Sequence, residues 1–126
     1  MERESGVRPR VAVLEDDAEL ARVVREVLDA EGFETLAVDR LTPLEHVARH
    51  RPCLLLVDLL LGDRHGRDVL AKLRDMGLAD VPVVLMSGKP DLETHMRELG
   101  AVAFVAKPFE IDDLVATCRS AAAPYA

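Results

Sequence analysis

The chain has little positive charge to spare. Its 16 lysines and arginines face 23 aspartates and glutamates, a net charge of −7. Direct contact with nucleic acid draws on clustered Lys and Arg, so no direct nucleic-acid binding is expected. Long apolar runs are absent too. A run such as Cys53 to Val57 falls far short of the roughly 20 residues that a membrane-spanning helix needs, so no membrane insertion is expected. Residues 1–10 carry both signs of charge and lack the apolar centre of a signal peptide. Cysteine is scarce: Cys53 and Cys118 read as buried thiols in a reducing compartment rather than a disulfide framework. These absences together point to a cytoplasmic protein. There is no internal repeat, low-complexity segment or interdomain linker.

What is present is enough for one core. A chain of 126 residues suits a single domain, divided here into a flexible tail at 1–8, a domain over 9–122 and a second tail at 123–126. Met1 and the short tails read as a stand-alone protein. Val11–Leu14 is a continuous apolar run that stops at Glu15-Asp16-Asp17, as a central parallel strand buried on both faces would. Leu20, Val23, Val24, Val27 and Leu28 recur at helical spacing until Gly32. A second strand is expected over Phe33–Val38, then a helix capped by Thr42 with Pro43 in its first turn. Cys53–Val57 is a third strand ending at Asp58, and Val69, Leu70 and Leu73 mark a helix ending at Gly77. Val81–Met86 is a fourth strand, followed by Ser87 and by a short helix from an Asp91 cap to Gly100. Val102–Ala106 is a fifth strand, and Ile111, Leu114, Val115 and Cys118 mark the last helix. Five strands alternating with five helices predict an α/β fold, a parallel sheet with helices on both faces.

The informative residues are those at strand ends, because open parallel sheets bind ligands beyond their carboxyl edges. If the first, third, fourth and fifth strands are neighbours, Glu15, Asp16, Asp17, Asp58, Ser87 and Lys107 converge on one pocket. Such a set is costly without a purpose. Two like charges about 4 Å apart repel by roughly 4 kcal/mol at an effective dielectric near 20. Crowded carboxylates therefore shift their pKa values or hold a cation. All-oxygen donors with room for water suit Mg²⁺. A carboxylate can also act as a nucleophile toward phosphorus, with Lys107 and the Ser87 hydroxyl placed to bind the oxygens it gains.

With these residues in view, the chain resembles the receiver domains of two-component response regulators over about Arg10 to Ala121. Five marks carry the resemblance. They are Val-Leu-Glu15-Asp16-Asp17, Leu-Val-Asp58, Gly66 eight residues later, Met-Ser87-Gly, and Phe104-Val-Ala-Lys107-Pro108-Phe109. The resemblance implies a three-layer (βα)5, doubly wound, flavodoxin-like fold with strand order 2-1-3-4-5. It implies that Asp58 accepts a phosphoryl group from a sensor histidine kinase or histidine phosphotransfer protein. Asp16, Asp58 and the backbone carbonyl of Leu60 would hold Mg²⁺, with Glu15 acting through a bound water. Ser87 and Lys107 would bind the phosphoryl group, Ser87 and Phe104 would form the switch, and a downstream effector protein would read the result. Lys107-Pro108 resembles the family's cis peptide.

Three departures accompany the match. Position 62 is glycine where the family has proline, which implies a more mobile loop, and position 104 is phenylalanine where tyrosine is frequent. The Ser87–Lys107 stretch is shorter than usual, which bears on the helix that the family uses for output and pairing. Asp17 reads as a helix cap ahead of a metal ligand, and Asp63 as a loop acid. The histidines His46, His50, His65 and His95 read as bystanders. Two other functions compete. A phosphorylation-independent interaction module would need an incomplete pocket, whereas every residue type is present. An aspartyl-nucleophile phosphatase would need an acid two residues after Asp58, where Leu60 stands. No enzymatic turnover is expected beyond Mg²⁺-dependent self-phosphorylation and autodephosphorylation, with Leu60 and Lys89 influencing water access.

Overall fold

A computed structural model describes residues 8–39, 41–58, 60–61, 64–88 and 90–122. The expectations placed on residues 1–7, Gly62, Asp63, Lys89 and 123–126 lie outside this set. Five strands form one parallel sheet: β1 (Arg10–Leu14), β2 (Glu34–Val38), β3 (Leu54–Asp58), β4 (Val83–Ser87) and β5 (Ala103–Ala106). Their spatial order is 2-1-3-4-5, the order that the resemblance implies. Strand order reverses between β1 and β3, which leaves a crevice at the carboxyl edge there.

The alternation of side chains along each strand sorts the core into two layers. Ala12, Leu14, Leu55, Val57, Val83 and Leu85 face one way. They pack under α2 (Leu44–His50), α3 (Gly66–Leu73) and α4 (Leu92–Leu99). Val11, Val13, Leu54, Leu56, Val84 and Met86 face the other way, under α1 (Ala18–Ala30) and α5 (Ile111–Ala122). This is why β3 and β4 have no polar position before their ends, and β1 none after Arg10: helices cover both faces.

Helix ends show where local chemistry departs from expectation. Asp17 caps α1 as predicted, its Oδ1 accepting from the Glu19 and Leu20 amides at 3.1 Å each. Thr42 does not cap α2. Its hydroxyl donates to Asp39 Oδ1 at 3.1 Å and accepts from the Asp39 amide at 3.1 Å, while Asp39 Oδ1 also takes the Leu41 and Thr42 amides. A tight turn organised by Asp39 has claimed the hydroxyl, and Pro43 occupies the cap position with no side-chain bond. Asp91 does precede α4, but in a left-handed conformation (φ 62°, ψ 36°) and with no side-chain bond to the helix.

Two features have no counterpart in the sequence reading. Leu60–Leu61 pairs antiparallel with Arg64–His65 as a two-residue ribbon beyond β3. Downstream of α3, Arg74–Leu78 continues as a wider π-type turn that Gly77, at φ 105°, brings to a close.

Candidate functional site

Sheet register builds the site. Leu14 lies beside Val57, Asp58 beside Met86 and Ser87 beside Ala106. The next residues along each strand therefore stand in a row at the carboxyl edge: Glu15 and Asp16 after β1, Asp58 at the end of β3, Ser87 at the end of β4 and Lys107 after β5. The Lys107 ammonium reaches across this row. Its Nζ lies 3.0 Å from Glu15 Oε1 and 3.1 Å from Asp58 Oδ2.

Burial makes these contacts matter. Glu15 is 4% exposed and Ser87 3% exposed, the two polar side chains found inside the core boundary among the described residues. Burial is the largest influence on Glu15 and raises its pKa, with the nearby Asp58 charge adding to it; the Asp17 amide and Lys107 pull the other way without overcoming it. The Asp17 amide donates to Glu15 Oε2 at 3.1 Å, so both carboxylate oxygens are engaged. For Lys107 burial is again the largest single influence and works against its charge. The hydrogen bonds and charges of Glu15 and Asp58 together outweigh it and raise the pKa. The pair thus favours the charge on Lys107 more than that on Glu15.

The other predicted site residues are placed as follows. Asp16 sits beside Glu15 with its Oδ2 shielded from solvent. Leu60 opens the two-residue ribbon just past Asp58. Phe104 pairs in register with Leu85 and is 38% exposed. It turns outward to line a recess of about 360 Å³ with Pro108, Phe109, Asp113 and Thr117. Lys107-Pro108 is cis. Asp17 is a cap. His46 and His50 neighbour each other on α2 with tilted rings, centroids 6.2 Å apart, and His50 lies 3.8 Å from Glu34.

Among the described residues no group of three His, Cys, Asp or Glu side chains is arranged to hold a metal. That leaves room for Mg²⁺, which takes one or two carboxylates and fills its remaining positions with carbonyl and water oxygens. Asp16 and Asp58 supply donors of that kind. The direct Glu15–Lys107 contact is the part of the site that the sequence reading missed. It joins residues 92 positions apart, and no local pattern announces it.

The comparisons agree with this geometry. A family model described as Response regulator receiver domain matches residues 11–119. The DNA-binding response regulator MtrA of Mycobacterium leprae is 39% identical over 118 residues, 90% of this chain and 51% of that protein. The Transcriptional regulatory protein PdtaR of Mycobacterium tuberculosis is 31% identical over 114 residues, 89% of this chain and 56% of that protein. The chain therefore spans about half the length of the curated relatives it matches. Among solved structures, the receiver domain of NtrX from Brucella abortus superposes with a TM-score of 0.80 at 26% identity, covering 90% of this chain and 98% of that one. The chemotaxis protein CheY4 of Vibrio cholerae gives 0.82 at 18% identity, covering 91% and 99%, a likeness of fold.

Proposed function

The chain belongs to the response regulator receiver family, and from that premise we propose that it is a phosphoryl-accepting switch with Asp58 as the acceptor. The observation that carries this reading is the Lys107 ammonium held 3.1 Å from Asp58 Oδ2 at the open carboxyl edge of β3. It sets a fixed cation beside the one strand-end carboxylate of the row that β3 itself carries.

In the proposed step an Asp58 oxygen attacks phosphorus on a phosphohistidine donor. A new O–P bond forms, the P–N bond breaks, and the leaving imidazole keeps the electron pair. Lys107 and the buried Ser87 then bind the phosphoryl oxygens, by charge and by hydrogen bond. Mg²⁺, held by Asp16, Asp58 and the Leu60 carbonyl with Glu15 acting through water, would offset the repulsion between an anionic donor and the acidic pocket. The new group brings about −1.5 to −2 charges. It must compete for Lys107 with Glu15, which is already in contact. Breaking that contact is the local event that biases the two states of the domain. Phe104, outward here, is the side chain proposed to turn inward as Ser87 moves. The surface so altered would be read by an effector protein. The net charge of −7 supports a protein rather than a nucleic acid as the direct partner of these residues. No turnover on outside substrates is proposed, because Leu60 offers no proton for it. Among the described residues no helix is long and apolar enough to cross a membrane.

The test is phosphorylation by a small donor. Incubation with Mg²⁺ and acetyl phosphate is expected to add the mass of one phosphoryl group to the wild-type chain and none to Asp58→Asn. A folded wild type that gains no mass overturns the reading in favour of a phosphorylation-independent interaction module. An adduct that persists in Asp58→Asn moves the acceptor elsewhere.

A further inference from the structure

Two histidines lie on one face of α2, a turn apart. His46 and His50 stand at the spacing where helical side chains meet, with ring centroids 6.2 Å apart and planes tilted by 45°. A pair so spaced can share a metal ion, because both imidazoles project from the same face. Alone it offers only two donors. The fold brings a third from another element. Glu34 opens β2, and its Oε2 lies 3.8 Å from His50 Nε2. The His50 side chain is 29% exposed and that of Glu34 44%, so an ion in solution can reach both.

The backbone beneath these side chains is held from several sides. Val47 is fully buried and seats α2 on the core. The Arg10 guanidinium donates to the His50 carbonyl at 2.9 Å, which ties the end of α2 to β1. Glu34 stands beside Arg10 in the sheet register, and its amide donates to the Pro9 carbonyl at 2.8 Å. Side-chain rotations alone can therefore gather the donors. As they stand, the three are not drawn together closely enough to hold an ion. With bonds of about 2 Å and tetrahedral angles, a shared ion keeps two imidazole centroids about 5 Å apart, and a nitrogen and a carboxylate oxygen about 3.3 Å apart. The distances to be closed are thus about 1 Å at the histidine pair and about 0.5 Å at Glu34. The contact given up in closing them is weak. Arg10 Nε lies 3.7 Å from Glu34 Oε2, and both side chains are nearly half exposed.

We propose that His46, His50 and Glu34 form a site for a divalent transition-metal ion of the Zn²⁺ class, with water at the fourth position. Two imidazoles and one carboxylate suit Zn²⁺, whereas Mg²⁺ favours oxygen donors. The site therefore differs in chemistry from the all-oxygen pocket around Asp58. It differs in place as well. Glu34 and Arg10 begin their strands at the amino edge of the sheet, and Asp58 ends β3 at the carboxyl edge. A bound ion would link α2 to β2, which is the edge strand of the sheet. The site belongs to the unmodified chain and stands whether or not Asp58 accepts phosphoryl.

NMR of the imidazole nitrogens tests it, recorded on the full chain in excess Mg²⁺ as Zn²⁺ is added. One ring nitrogen of His46 and one of His50 are expected to shift together and to saturate at a single equivalent of Zn²⁺, while His65 and His95 stay in place over the same range. His46 is exposed, so His46→Gln keeps the core. It is expected to weaken Zn²⁺ binding, read at His50, roughly tenfold or more. Glu34→Gln is expected to weaken it severalfold, with the two histidines still shifting together. Histidines 46 and 50 that shift independently overturn the proposal, and so do four histidines that all shift alike. A Zn²⁺ affinity at His50 that is the same in His46→Gln or in Glu34→Gln as in wild type overturns it too.

Discussion

Asp17 and Asp91 each stand one residue ahead of a helix, and the two helix starts are built differently. At α1 the aspartate is extended, its carboxylate holds two amides, and its own amide anchors Glu15 of the site. At α4 the same residue type is left-handed and caps nothing. The anchoring of the helix bodies follows suit. Within α1, Val24 and Leu28 are fully buried, whereas Leu92 and Leu99 of α4 sit at the core's margin. The lesson is that the site is framed by one firm helix start and one loose one. The firm start holds the acidic wall in place, and the start of α4 lacks a side-chain cap.

Substitutions can break or sharpen this contrast. The largest effect is expected from Leu28→Ala, which leaves a cavity under α1 and costs about 2–5 kcal/mol. Leu99→Ala, at the margin of the core, is expected at the low end of that range or below it, as the difference in urea midpoints will show. Asp17→Ala removes a working cap and is expected to cost about 1 kcal/mol by thermal or urea unfolding. Glu15→Gln is expected to stabilise slightly. Burial raises the pKa of Glu15, so the fold prefers its protonated form. That preference stabilises fully below the unfolded carboxylate pKa and is lost as pH rises through the folded value. Glutamine should therefore raise the urea midpoint at pH 7, and the gain should vanish as pH falls below about 4. The smallest effect is expected from Glu98→Gln, which breaks the exposed Arg67 pair for a few tenths of a kcal/mol. A loss at Glu98 as large as at Asp17 would mean that α4 is held as firmly as α1.

The parts of this architecture that were legible in the sequence rest on strong, short-range signals. Val11–Leu14 and Cys53–Val57 read as strands covered on both faces, and their abrupt ends at Glu15 and Asp58 located the site edge. Gly100 marked the end of α4 because only a closing residue at positive φ was needed there. What escaped involved competition or distance. Thr42 has the right chemistry for a cap, but Asp39 three residues earlier offered it a better turn. Asp91 has the right chemistry and position, but its backbone is left-handed and its carboxylate makes no bond to the helix. The π-type turn at Arg74–Leu78 carries no residue that a regular helix would refuse until Gly77. The Glu15–Lys107 contact depends on register across four neighbouring strands, which no local pattern encodes.

Cys118 has a use apart from the site. It lies fully buried on α5, against the sheet face that carries Val105 and on which Leu28 of α1 also packs. Burial pushes its thiol up to about 12, so at pH 7 very little of it is the thiolate that alkylating reagents attack. Modification at neutral pH must then wait for α5 to lift from the sheet. The rate of Cys118 labelling, with half-buried Cys53 as the internal reference, becomes a clock that counts departures of α5 from the sheet.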